Sequence, residues 1–118
     1  MKIASLLFKI YLALFLVIGI SFHIYALYTH FTRETEQMHL THILSYSLCL
    51  LAVLVKLRYR FIVFIFAAIY PFLYHANCAW VSFIDLGKIN WICLDVVIMM
   101  PLGALWILRV SGNKPAAQ

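Results

Sequence analysis

Charge is what this sequence has least of. Only 11% of its residues are Asp, Glu, Lys or Arg, against about a quarter in a soluble globular domain. Cysteine is also scarce. Three are present, Cys49, Cys78 and Cys93, and none stands in a CxxC spacing, which leaves out thioredoxin-type redox and zinc-ribbon motifs. There is no glycine-rich phosphate loop, no nucleophile elbow and no HExxH, so nothing marks nucleotide binding, a serine hydrolase or a zincin. No internal repeat is present, and no long polar segment offers a surface for a soluble substrate. No catalytic residue is assigned, and the sequence leans away from an enzyme.

What is present is apolar. Two thirds of the 118 residues (66%) are hydrophobic and 16% are aromatic. A single domain of this size cannot hide so much apolar surface from water, so lipid is the expected solvent. The net charge of +5 does not point to nucleic acid, because the basic residues flank apolar runs instead of forming a patch. Four such runs predict spans at about 8–29, 39–57, 61–80 and 90–109, each close to the roughly 20 residues that cross a bilayer as a helix. The first is read as a retained span. Its apolar part is too long for a signal-peptide core, and no small-x-small cleavage site follows.

The predicted fold is all-α: an integral membrane four-helix bundle running up-down-up-down. The link 29–37 is polar and short, and Thr32 or Thr35 is placed to N-cap the second helix. Runs two and three form a hairpin around Lys56, Arg58 and Arg60. Pro71 and Pro101 fall inside the third and fourth runs and free the carbonyls of Ala67 and Val97. Residues 111–118 read as a mobile tail. Lys2, Lys9, Lys56, Arg58, Arg60, Arg109 and Lys114 gather on one side, against Arg33 and Lys88 on the other. The positive-inside rule then makes both termini cytoplasmic, as in a multi-pass protein of a bacterial inner membrane.

Ionisable groups inside the spans are the candidate functional residues, because lipid makes them costly. His23 lies near the end of the first run, His42 near the start of the second, His75 near the end of the third and Asp95 near the start of the fourth. In alternating spans all four lie at one side, roughly 6–9 Å below its surface at 1.5 Å per residue. A second tier above them is a candidate set of His30, His39 and Cys78: His30 follows His23 by seven residues, His39 shares a face with His42, and Cys78 shares one with His75. Cys78 and Cys93 near the facing ends of runs three and four are candidates for a disulfide on an oxidising side. Met99 and Met100 read as packing.

Taken singly, each histidine is ordinary as a hydrogen-bonded core residue. Their common depth is what joins them. Three imidazoles and a carboxylate suit zinc, copper or iron, and two histidines from different helices suit a haem. The leading expectation is therefore a metal- or haem-binding membrane module. One alternative is an accessory or assembly subunit of a larger membrane complex, with other membrane subunits or further copies of the chain as partners beside the bilayer. Another is a small proton- or ion-handling transporter or channel, since histidines beside a carboxylate can relay protons. Depth follows from counting residues. Rotation about each helix does not, and the four-ligand site fails if any one of them points outward.

Overall fold

The computed structural model describes residues 2–30 and 32–112. It contains four helices: α1 (Lys2–Thr29), α2 (Glu36–Leu54), α3 (Arg60–Leu86) and α4 (Trp91–Gly112). All four are long and apolar enough to cross a membrane, and no strand is present among the described residues. The expected tail falls mostly at 113–118, outside those residues; Ser111 and Gly112 belong to the last turn of α4.

The ends of the helices follow from local chemistry. α1 stops at Thr29 because His30 takes a left-handed conformation, φ 47°, which breaks the helical ladder. Thr35 N-caps α2, its hydroxyl accepting the Met38 N–H at 3.3 Å. α2 ends at Leu54, a few residues before the expected 57, as Val55 turns extended ahead of the charged Lys56, Arg58 and Arg60. α3 runs on to Leu86, past the expected 80. Its stop is Gly87, at φ 59°, where the N–H groups of Gly87 and Lys88 donate to the carbonyls of Phe83 and Ser82. A residue without Cβ adopts that left-handed turn at no steric cost. Asn90 then caps α4 by accepting the Cys93 N–H at 3.1 Å. Pro71 and Pro101 both lie within continuous helix.

Neighbouring helices run antiparallel, in the order α1–α2–α3–α4. The end of α1 meets the start of α2 through His23 and His39, and the end of α3 meets the start of α4 through His75 and Cys93. At the opposite end Trp106 donates to Ser5 at 2.9 Å and Arg60 donates to Ser111 at 2.9 Å. The two ends are called here the histidine end and the terminal end.

The core between them is made of Leu12, Leu16, Cys49, Val53, Phe64, Met100 and Ile107, set among small residues. Ala52, Ala67, Ala68 and Ala104 are buried and let the backbones approach. Gly103 is the tightest point: a Cβ there would stand 2.8 Å from the Phe64 ring and 3.1 Å from Leu12. Met99 and Met100 are buried and pack in this core. The exterior is the reverse of a soluble protein's. Large apolar side chains such as Ile3, Leu7, Ile18, Phe66 and Ile92 point outward, while among the described residues five polar ones, four of them histidines, are buried. That distribution is the one a lipid solvent favours.

The ring of helices is unevenly closed. α1 and α4 touch at the terminal end, where Phe8 packs on Trp106 and Leu12 on Gly103. Toward the histidine end they part, and a cleft of about 310 Å³ opens between them.

Candidate metal centre

His23, His42 and His75 are all buried, and each can bring one ring nitrogen within 4.8 Å of those of the other two. They come from α1, α2 and α3. His23 and His42 stack, with centroids 4.4 Å apart and planes 17° from parallel. His75 meets His42 edge-on at 5.3 Å. Tyr70 and Tyr74 close the remaining sides of the His42 ring, at 5.0 and 4.9 Å.

The hydrogen bonds determine which nitrogens are free. His42 Nδ1 lies 3.0 Å from the Met38 carbonyl. A carbonyl only accepts, so in the neutral ring Nδ1 carries the hydrogen and Nε2 holds a bare lone pair. That Nε2 is buried and, among the described residues, is the side-chain nitrogen or oxygen left without any partner. An orphaned buried acceptor costs about 1–3 kcal/mol. A cation is the partner this geometry suits, and a histidine whose other nitrogen donates to a backbone carbonyl is the usual form of a metal ligand.

The other two histidines are held by side chains. His23 Nδ1 lies 2.9 Å from His39 Nδ1, and His39 Nε2 lies 2.7 Å from Thr32 Oγ1. If His39 donates to Thr32, His23 donates to His39, and His23 Nε2 is left as a lone pair. His75 uses both nitrogens, with Tyr46 Oη at 3.2 Å from Nε2 and Cys93 Sγ at 3.2 Å from Nδ1. An ion shared by all three rings requires lone pairs converging on one point, so the His23–His42 stack must open by rotation about χ2, a soft torsion for histidine.

The remaining expected site residues fall elsewhere. Asp95 is exposed and outside the three-histidine group. The cause is helical phase: two residues are about 200° of rotation, and Cys93 is the one that points inward to His75. Asp95 instead lines the α1–α4 cleft together with His23 and His75. His30 is exposed; the shared face with His23 is lost because α1 ends at Thr29. His39 is buried, but it holds His23 by a hydrogen bond instead of joining the group. Cys78 is half-buried and lines a second cavity of about 370 Å³ with Glu34, Asn90 and Cys93. All three cysteines are free thiols, with no Cys78–Cys93 disulfide. Above the cluster, Tyr74 donates to the Glu34 carboxylate and ties α3 to the α1–α2 link.

Tyr46 and Cys93 are the residues that sequence reasoning missed. Both carried a signal. His39, His42, Tyr46 and Cys49 follow one another at helical spacing, as do Cys93, Val96, Met100, Gly103 and Ile107. Each set is the buried stripe of its helix.

No protein-family model, curated protein or solved structure matches this chain.

Proposed function

We propose that this chain is a four-span membrane protein, with both termini on the cytoplasmic side, that binds one transition-metal ion through His23, His42 and His75. The observation that carries the reading is the partnerless Nε2 of His42, buried among two further imidazoles that lie within 4.8 Å of one another. Imidazole donors suit zinc, copper and iron. Three neutral rings leave a coordination position open, and a ligand from the cleft beside Asp95 would fill it. A haem is less well suited. It needs a flat slot between two axial imidazoles, whereas His23 and His42 stack in direct contact.

The test is elemental analysis of protein purified without a histidine tag, followed by equilibrium competition for zinc and copper. The expected result is about one ion per chain, with affinity lowered about 100-fold or more in His42→Ala, more than the loss of a hydrogen-bond partner behind a ligand costs. Helical content measured alongside confirms that the variant folds. Wild type that binds no more metal than a variant lacking all three histidines overturns the reading.

A second reading, proton handling, draws support from the hydrogen-bonded line Thr32–His39–His23, which leads from the α1–α2 link to the cluster. No histidine or carboxylate continues it toward the terminal end of the helices, so it ranks below metal binding.

A further inference from the structure

The α1–α4 cleft borders the histidine centre and holds one group that the centre does not use. Its inner wall is formed by His23, Tyr46 and His75, its sides are Phe15, Ile18 and Phe22 from α1 and Ile92 and Val96 from α4, and the Asp95 carboxylate is part of the same lining. Among the described residues nothing hydrogen-bonds or ion-pairs with that carboxylate. Asp95 lies one turn inside α4, past Trp91, at a depth where an unpaired charge is costly. The cleft opens sideways, between helices whose outer surfaces are apolar at Ile18 and Ile92. Its volume of about 310 Å³ matches the lower end of small-molecule sites, about 300–1,000 Å³.

We infer that this cleft binds a membrane-dissolved organic cation: a protonated amine whose ammonium group pairs with Asp95 and whose apolar body lies against Phe15, Ile18 and Phe22. Charge complementarity selects the class. The carboxylate calls for a cation, and the apolar walls call for a hydrocarbon body. A hydrated alkali or alkaline-earth ion, which takes oxygen ligands, would find one carboxylate here and no second anionic ligand, whereas an ammonium group is satisfied by a single charge-assisted hydrogen bond and by the ring faces of nearby phenylalanines. The occupant enters from the bilayer through the gap where α1 and α4 separate, without passing the polar links. The inference rests on the bundle lying in lipid. It does not depend on metal at the histidines.

The probe is 1-naphthylmethylammonium, with the neutral 1-naphthylmethanol as its control. Binding is read by naphthalene fluorescence anisotropy on the full chain in phosphatidylcholine nanodiscs. The expected result is saturable binding of the amine, weakened about tenfold or more in Asp95→Asn, as fits the loss of one charge-assisted contact. The alcohol should bind wild type and Asp95→Asn alike and more weakly than the amine binds wild type. The titration is run on chelator-treated, metal-free protein, where the amine should still bind, so that failure of the metal reading and failure of this one are told apart. Equal amine binding by wild type and Asp95→Asn overturns the inference. So does an alcohol that binds as tightly as the amine, or a wild type with no saturable binding.

Discussion

At the scale of single residues, the site is a matter of which nitrogen carries hydrogen. The Met38 carbonyl settles that for His42. For His23 it follows from the direction of the hydrogen bonds through His39 to Thr32. His39 is therefore a positioning residue, and His39→Ala is expected to weaken metal binding about 10- to 100-fold while leaving one ion per chain at saturation. Competition titration checks this, and a loss of stoichiometry would make His39 a ligand instead. Thr32→Val should act in the same direction and less strongly, since His39 keeps its bond to His23. The sequence shows His23, His42 and His75 at one depth, because depth is a count of residues along a helix. It does not show the roles of His30 and Asp95. One is itself the left-handed residue that ends α1, and the other is displaced around α4 by the inward-facing Cys93.

At the scale of helices, the boundaries were readable wherever a side chain caps or breaks the ladder. Thr35, Gly87 and Asn90 do so by chemistry that depends on near neighbours alone. Packing distance was not readable, because it depends on what faces each small residue across the bundle. Gly103 is the position where that matters most. A larger side chain there meets Phe64 and Leu12, both fully buried and unable to retreat. Gly103→Leu is expected to destabilise the bundle by about 1–3 kcal/mol through overpacking, measured as unfolding in a series of mixed detergent micelles. Gly112→Leu serves as its control, since a Cβ at Gly112 meets nothing within 4 Å, and it should leave the transition in place. Gly19 has a different consequence. Its added Cβ would press on the Tyr46 ring at 3.0 Å, and Tyr46 reaches His75, so Gly19→Ala should disturb the site more than the fold.

At the scale of the whole molecule, orientation is the open expectation. Lys2, Lys9, Lys56, Arg58, Arg60 and Arg109 lie toward the terminal end, against Arg33 and Lys88 at the other. Single cysteines placed at Lys56 and Lys88, in a chain whose own cysteines are replaced, should differ in labelling by a membrane-impermeant maleimide applied to intact cells. Residue 88 should react and residue 56 should not. The reverse pattern would place the histidine cluster on the cytoplasmic side. The histidines also divide unevenly between the first and second pairs of helices: α1 and α2 supply His23 and His42, and α3 supplies His75. Any ion gripping all three is a staple between halves of the chain. Its binding energy would add to their cohesion, so the firmness of the assembled molecule would rise and fall with the free metal around it.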